Sequence, residues 1–110
     1  LLGAIAAGGI GKLFPDNDAA FHNISSMLLL KRVGEYLRQE GYTVVNIDAT
    51  LIAQAPKVSP YRDAMRQNIA AALGVDVSQI SVKATTEEHL GFTGTGEGMA
   101  AHAVALVEKL

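Results

Sequence analysis

The sequence predicts an α/β fold (α+β in its broader sense), in which helices pack on one face of a β-sheet. Apolar residues recur at helical spacing over residues 24–40 and again from Met65 to Leu73. Over residues 42–54 and 80–85 they alternate with polar residues, as in half-buried strands. A chain of 110 residues, of which 49% are hydrophobic, can form one domain with its own core, so residues 1–110 are interpreted as a single domain.

Composition excludes several classes of function. The net charge is −2 and basic residues do not cluster, which argues against a nucleic-acid partner. There is no cysteine, so a disulfide framework and a thiolate metal site are excluded, and a cytoplasmic location is expected. The longest uncharged apolar run, residues 1–11, is shorter than the ~20 residues of a membrane span, so no membrane partner is expected.

The first segment, Leu1 to Ala7, predicts the last turns of a helix that ends at Gly8 and Gly9. Residues 10–18 then predict a loop, because Pro15 precedes three residues that favour turns. The chain begins with Leu1 inside an apolar segment that lacks a cap. We therefore expect that the natural protein carries further residues before Leu1.

Residues 24–40 predict the clearest helix, with Asn23 or Ser25 as its N-cap and Gly41 at its end. Its apolar stripe consists of Met27, Leu30, Val33 and Leu37, with Leu29 and Tyr36 beside them.

The strand over residues 42–54 has alternating faces. Its predicted apolar face consists of Thr43, Val45, Ile47, Ala49, Leu51 and Ala53. A second helix is expected to begin with Ser59 as N-cap and Pro60 in its first turn, and to end at Gly74. Asp76 and Ser78 then turn the chain into the strand at Ile80.

The final segment, residues 99–110, is ambiguous. Its alanine-rich composition favours a helix by intrinsic propensity. Small residues on both faces also suit a strand packed tightly on two sides.

Residues 83–98 have the composition of a functional site. They combine hydroxyl, acidic and glycine residues, with Leu90 and Phe92 as the only large apolar side chains. Hydroxyls and carboxylates at a strand end, followed by glycines that permit close backbone approach, suit a phosphate and a divalent metal ion. The structural alternative is a strand followed by a polar turn and a flexible loop.

Three ordered motifs in this chain resemble the 2-C-methyl-D-erythritol 2,4-cyclodiphosphate synthase family. The strongest match is to the pattern K-A-T-T-x-E-x-L-G-F-T-G, carried by Lys83, Ala84, Thr85, Thr86, Glu88, Leu90, Gly91, Phe92, Thr93 and Gly94. The other two are I-G-K-L-F-P-D-x-D over residues 10–18 and I-A-Q-A-P-K over residues 52–57. The resemblance covers all 110 residues but corresponds to the C-terminal two-thirds of the family's domain.

The resemblance implies a fold and an assembly. It implies a mixed β-sheet with helices packed on one face, and a homotrimer with its strands directed toward the trimer axis and active sites between subunits. It also implies that residues 99–110 form a strand, which is the reading we adopt.

The resemblance further implies a set of substrate-binding residues. A ribose and erythritol loop would contain Gly9, Ile10, Gly11, Phe14, Pro15, Asp16, Asn17 and Asp18. A cytosine loop would contain Ala53, Gln54, Ala55, Pro56, Lys57, Val58 and Ser59, reading the base through backbone groups. The phosphate region would contain Thr85, Thr86, Glu87, Glu88 and Phe92, with Thr86 as transition-state stabiliser. The chain departs from the family at Gly9, Glu87, Thr95 and His102, where the family usually has aspartate, threonine, arginine and glutamate.

The implied reaction is the cyclisation of 4-diphosphocytidyl-2-C-methyl-D-erythritol 2-phosphate with release of CMP. Glu88 would help to hold Mg²⁺ or Mn²⁺. The family's Zn²⁺ ligands, an aspartate and two histidines, have no counterpart in this chain, so the polypeptide as given is expected to be inactive alone. Three alternatives stay open: a cytidine-nucleotide-binding oligomerisation module without chemistry, the C-terminal part of a fused cytidylyltransferase–cyclase, and a metal-free structural domain.

Overall fold

The computed structural model describes residues 1–15, 17–18 and 24–110. Within these ranges the two long helices and the strands that begin at Tyr42 and Ile80 lie where the periodicity predicts them. In chain order the elements are α1 (Ile10–Leu13), α2 (Ser26–Gln39), β1 (Tyr42–Ile52), α3 (Arg62–Leu73), β2 (Ile80–Thr85), α4 (Gly91–Gly94) and β3 (Ala100–Lys109). Short 3₁₀ helices occupy Leu2–Ile5, Ser59–Tyr61 and Val77–Gln79. In the part of the chain so described, no helix is long and apolar enough to cross a membrane.

The three strands form one mixed sheet in the order β2-β1-β3. The central strand β1 runs parallel to β2, with Ile47 opposite Ile80, and antiparallel to β3, with Asp48 opposite Val104. A parallel pair needs a crossover, and α3 provides it between β1 and β2. The predicted mixed sheet is confirmed.

The core lies between this sheet and the helices α2 and α3. Leu37 of α2 and Ile80 of β2 are each only 1% exposed, and Leu73 of α3 packs in the same cluster with Ile47 and Val82. Burial of such side chains stabilises the fold by about 1.5–3 kcal/mol each. Residues that alternate with these along the strands, such as Asp48 and Lys83, are exposed. One face of the sheet is therefore covered by helices, as predicted.

The alternation predicted for β1 is wrong at its start. Val44 is buried, although the pattern assigned the apolar face to Val45, and a register shift lies between Val44 and Asn46. An extra residue in one strand of an antiparallel pair reverses the side to which the preceding residues point. From Ile47 onward the predicted faces hold. The predicted end also differs, since β1 stops at Ile52 and not at Gln54.

Two expectations for the start of the chain, the end of the first helix and the loop that follows it, are wrong. The residue that ends the first helix in a left-handed conformation is Ala6, with φ 58°, rather than Gly8 or Gly9. The N–H of Ala7 donates to the carbonyl of Leu2 at 2.9 Å, which closes the helix end. Residues 10–13, predicted as loop, form the short helix α1, in which the Phe14 N–H donates to the Ile10 carbonyl at 3.0 Å.

The helix ends are partly as expected. Ser25 caps α2, accepting from the Met27 N–H at 3.2 Å, while the alternative cap Asn23 lies outside the described residues. Gly74 ends α3 in the left-handed conformation with φ 67°, as predicted. Ser59 is not a helix cap, because residues 59–61 form a 3₁₀ turn and α3 begins at Arg62 without a side-chain cap.

The final segment is a strand, so the reading taken from the resemblance is confirmed and the helix favoured by propensity is wrong. Pairing with β1 at ten positions outweighs the local preference of alanine. Within a single chain β3 is an edge strand, and its apolar residues Val104 and Leu106 are 74% and 56% exposed.

Candidate functional site

The carboxyl ends of β1 and β2 lie side by side and carry two of the three predicted substrate loops. Beyond the last paired residues, the Ala53 N–H donates to the Thr85 carbonyl at 3.1 Å. The segment 53–59 therefore leaves the sheet next to the turn 86–90. In sheets with parallel strands, ligands commonly bind at this edge, because the loops that follow adjacent strands converge there.

A side chain makes a second connection between these segments. The Oε1 of Gln54 accepts a hydrogen bond from the backbone N–H of His89 at 3.3 Å. Gln54 is half-buried, whereas the residues around His89 are exposed. The sequence analysis placed Gln54 in the cytosine loop, and nothing in the sequence indicates its contact with His89.

The turn 86–90 holds two residues in the left-handed backbone region. Glu88 has φ 51° and His89 has φ 67°. For residues other than glycine this conformation costs on the order of 1–3 kcal/mol each and persists only where the surroundings enforce it. The Thr86 Oγ1 accepts from the Glu88 N–H at 3.3 Å, and the Leu90 N–H donates to the Glu87 carbonyl at 3.0 Å. These bonds fix the direction in which the two carboxylates leave the turn.

Gly94 packs against the backbone of His89. A β-carbon built on Gly94 would lie 2.8 Å from the His89 Cα, and closer still to the His89 carbonyl carbon. Gly94 therefore has a packing role, whereas a β-carbon at Gly91 or Gly96 would meet nothing within 4 Å. Gly94 is small because the chain itself approaches it, and Gly98 likewise lies against the Phe92 ring.

Phe92 and Leu90 line a cavity of about 340 Å³ beside the turn, together with Glu87 and His102. Both apolar side chains are largely exposed in the single chain. The Gly98 N–H donates to the Phe92 carbonyl at 3.1 Å, which fixes the backbone of this segment. Phe92 is thus placed next to the predicted phosphate region.

The open face of the sheet contains an ion pair. The Lys83 Nζ lies 2.6 Å from the Asp48 Oδ2, and both side chains are about half exposed. This hydrogen bond from Lys83 is the main cause that lowers the pKa of the Asp48 carboxyl, with a smaller contribution from Ser81. Lys83 is therefore directed at Asp48 and not at the phosphate region.

The described residues of the predicted ribose and erythritol loop lie at more than one level of the sheet. Ile10 lines a cavity of about 520 Å³ with Ala49 and Ala103. Lys12 and Leu13 share a cavity of about 400 Å³ with Tyr42, the first residue of β1, whereas Gln54 lies two residues beyond its last residue. An eleven-residue strand at ~3.3 Å per residue separates its ends by roughly 35 Å. Asp16 falls outside the described residues.

The residues described do not fit the family's zinc site. Among residues 1–15, 17–18 and 24–110, no three histidine, aspartate or glutamate side chains lie close enough together to hold a metal ion. His22 is outside these ranges. Glu88, the residue predicted to hold Mg²⁺ or Mn²⁺, lies in the exposed turn after β2; Mg²⁺ is usually held by one or two carboxylates together with substrate phosphates.

Sequence reasoning also missed Thr93. It is 4% exposed and is the only buried polar side chain among the described residues. It lies in α4, where the motif pattern gave it no separate role. A polar residue inside a glycine-rich segment carries no periodic signal that could reveal its burial.

The chain matches the family model described as the YgbB family over residues 1–108. A curated relative from Trichlorobacter lovleyi, named 2-C-methyl-D-erythritol 2,4-cyclodiphosphate synthase, is 61% identical over 107 residues, covering 97% of this chain and 68% of the relative. A relative of the same name from Pelotomaculum thermopropionicum is 58% identical, covering 99% of this chain and 67% of its own length. The chain thus spans about two-thirds of the curated relatives it matches.

Solved structures of similar proteins have the same fold as this chain. The bifunctional IspDF from Campylobacter jejuni superposes with a TM-score of 0.94 at 44% identity, over 99% of this chain and 30% of that chain. A CDP complex of IspF from Plasmodium falciparum gives a TM-score of 0.84 at 35% identity, over 98% of this chain and 64% of that chain. Since the family model covers nearly every residue and the relatives exceed half identity, the chain belongs to the YgbB family.

Proposed function

We propose that this protein converts 4-diphosphocytidyl-2-C-methyl-D-erythritol 2-phosphate into 2-C-methyl-D-erythritol 2,4-cyclodiphosphate with release of CMP, a step of non-mevalonate isoprenoid biosynthesis. The observation that carries the proposal is the meeting of residues 53–59 and 85–88 at one sheet edge. These segments contain two of the three motifs. Relatives that cover nearly the whole chain carry the name of this synthase.

In this proposal the cytidine part binds at the segment 53–59. Its backbone N–H and C=O groups read the base, and Lys57, which is exposed, neutralises part of the phosphate charge. The Plasmodium falciparum neighbour, whose structure contains CDP, supports a cytidine nucleotide as the ligand class. The chain's net charge of −2 means that binding a polyanion depends on local donors and a cation.

The chemistry needs no nucleophilic side chain. An oxygen of the substrate's 2-phosphate forms a bond to the β-phosphorus, and the bond from that phosphorus to the α,β-bridging oxygen breaks. CMP leaves with the bridging oxygen and its electron pair. The protein's task is to fold the substrate back on itself, and such positioning contributes ~7–11 kcal/mol in well-oriented cases.

Thr85 ends β2 and Thr86 follows it, beside the proposed phosphate region. The Thr85 hydroxyl donates to the Thr86 carbonyl at 3.4 Å. The Thr86 Oγ1 accepts from the Glu88 N–H, which leaves its own O–H available to donate to a phosphate oxygen. We assign Thr86 to stabilise the charge that develops in the transition state. Phe92 closes the apolar side of the site.

We assign Glu88 to hold Mg²⁺ or Mn²⁺ against the diphosphate, with Glu87 beside it. When bound, such an ion screens the repulsion between the attacking and the attacked phosphate. The left-handed turn fixes the Glu88 backbone, so its carboxylate enters the site from a constrained position. The Zn²⁺ of the family has no place in this proposal, since the described residues do not provide its ligands.

We further propose a homotrimer in which each active site combines two subunits. The support is geometric: Lys12 of the ribose loop lies beside the first residue of β1, whereas the cytosine loop follows the last residue of this strand in one chain. The uncovered sheet face, with Val104 and Leu106 exposed, provides an apolar surface for a second copy. A cytoplasmic location stays a prediction from the cysteine-free composition.

A second candidate is the cyclase part of a fused cytidylyltransferase–cyclase. The specific observation in its favour is the TM-score of 0.94 with the bifunctional protein from Campylobacter jejuni. Both candidates share the cyclisation site. Transfer of a cytidylyl group from CTP, measured on the natural gene product, distinguishes them.

Because the polypeptide as given is expected to be inactive alone, the direct test is ³¹P NMR of the substrate incubated with the purified natural gene product and Mg²⁺. The proposal expects CMP and the cyclic diphosphate to appear in equal amounts. Thr86→Val removes the donor at similar volume and is expected to lower kcat by about 10²-fold. The matched control is Thr43→Val, at the far end of β1. Unchanged turnover in the Thr86 variant, or CMP without the cyclic product, contradicts the proposal.

A further inference from the structure

We propose that Gln54 is a positioning residue, which fixes the turn 86–90 so that Glu88 faces the diphosphate. This role differs from a contact with the base, which the resemblance alone suggests. The inference rests on the proposed function, because that function assigns Glu88 to hold the metal ion at the diphosphate. Its structural part, the dependence of the turn on Gln54, stands on observed contacts.

The turn has several restraints, and most of them are local. The Thr86 hydroxyl and the Glu87 carbonyl both act within the turn itself. Gly94 packs against His89 from only five residues away. The hydrogen bond from the His89 N–H to the Gln54 Oε1 joins the turn to the segment that follows β1, 35 residues away in sequence.

This long-range bond acts at the strained part of the backbone. His89 and Glu88 are adjacent residues with positive φ, a conformation that non-glycine residues leave unless the surroundings hold it. Gln54 holds the His89 amide against the end of β1, which itself is anchored by the Ala53–Thr85 bond. Glu88 and His89 are thereby held in a fixed position relative to the sheet.

The side-chain chemistry at position 54 is specific. A backbone N–H can only donate, so the group facing it must be an acceptor, and the amide oxygen of Gln54 supplies one. Asparagine is shorter by one carbon–carbon bond, about 1.5 Å, and from a starting distance of 3.3 Å it would not reach. Methionine matches the length of glutamine but lacks the acceptor, which makes it the informative substitution.

The test is a titration of the purified protein with CDP, with and without Mn²⁺, for wild type, Gln54→Met and the control Gln39→Met. Gln39 is exposed at the last turn of α2, far from this edge. If Gln54 orients Glu88, the Gln54 variant loses about five- to tenfold in CDP affinity with Mn²⁺. Without Mn²⁺ its affinity stays within about twofold of wild type. The control matches wild type in both conditions.

A second readout does not depend on ligand or activity. Amide hydrogen exchange at His89 is expected to be at least several-fold faster in Gln54→Met than in wild type. Gln54→Glu keeps an acceptor of the same reach, so protection of the His89 amide is retained in that variant.

The outcomes distinguish a failure of the positioning role of Gln54 from a failure of the proposed function. Equal losses with and without Mn²⁺ would mean that Gln54 contacts the nucleotide directly, which overturns the positioning role. Unchanged affinity, or unchanged His89 exchange in Gln54→Met, overturns it as well. If wild type itself binds no CDP in either condition, the proposed function fails and the role of Gln54 in it fails too, whatever the exchange data show about the contact.

Discussion

Gly94 and His89 are in direct backbone contact: a β-carbon on Gly94 would lie 2.8 Å from the His89 Cα. This contact places α4 against the turn that carries Glu87 and Glu88. The glycine-rich segment is thus a packing element as well as part of the candidate site. Its glycines are required by the chain's own geometry, and this can be tested apart from any ligand.

Gly94→Ala is expected to destabilise the protein by about 1–3 kcal/mol, because backbone atoms of His89 cannot move aside as a flexible side chain can. Urea unfolding monitored by circular dichroism measures the change. The matched control is Gly3→Ala, since a β-carbon at Gly3 meets nothing within 4 Å. If the two variants are equally stable, the contact between Gly94 and the His89 backbone is loose enough to accept a β-carbon.

Ser25→Ala is expected to destabilise α2 by ~1 kcal/mol, because the Ser25 side chain satisfies the Met27 N–H, one of the unpaired donors at the helix start. Ser26→Ala, one residue later and inside the helix, is the control, and its effect is expected to be within a few tenths of a kcal/mol. Denaturant midpoints at a constant slope measure both changes. If both variants unfold at the same midpoint, Ser25 is not the cap.

Val104→Asp is expected to dissociate the proposed trimer, since it replaces an exposed apolar side chain of the uncovered sheet face by a second carboxylate opposite Asp48. Analytical ultracentrifugation measures the assembly state directly. Leu28→Asp is the control, because Leu28 is an exposed apolar residue on α2. A Val104 variant that sediments like wild type would exclude this face as the subunit contact.

Asp48→Asn is expected to destabilise the protein at neutral pH and to lose this effect in acid. The pKa of Asp48 is lowered in the folded state by the hydrogen bond from Lys83, so its carboxylate contributes stability above the usual pKa of 3.8. That contribution disappears as pH falls through the lowered value. Thermal unfolding of wild type and variant from about pH 2 to about pH 7 measures the difference.

In that series the Tm gap between wild type and Asp48→Asn should be constant well above pH 3.8 and should close as the pH falls below it, through the lowered pKa of the Asp48 carboxyl. Asp18→Asn is not a suitable control, because Asp18 has interactions of its own. Glu35→Gln, at an exposed position of α2, is preferable. A Tm gap that widens in acid would mean that folding does not lower the pKa of Asp48.

Periodicity was sufficient to predict the main elements. Helix α2, helix α3 and the strands β1 and β2 all follow from the spacing of apolar residues, since burial of one face determines each of them. The β-bulge before Asn46 could not be predicted, because inserting one residue leaves the composition unchanged and only shifts which residues face the core. The strand β3 followed from the resemblance, because local propensity favours a helix there.

The candidate site could likewise be predicted only in part from the sequence. Thr85, Thr86 and Glu88 stand out by residue type at the end of a predicted strand, and their motif is informative. The contact between Gln54 and His89 could not be predicted, because it joins residues 35 positions apart through one side-chain oxygen. The left-handed conformations of Glu88 and His89 also have no sequence signal, since neither residue is glycine.

The central claim is that a cytidine nucleotide binds where the ends of β1 and β2 meet. The most direct measurement is a ¹H–¹⁵N NMR titration of the protein with CDP and Mg²⁺, using GDP as the control nucleotide. The account predicts that the amide shifts caused by CDP concentrate in residues 53–59 and 85–89, and that GDP causes few of them. Shifts confined to other parts of the chain, or identical patterns for the two nucleotides, would contradict it.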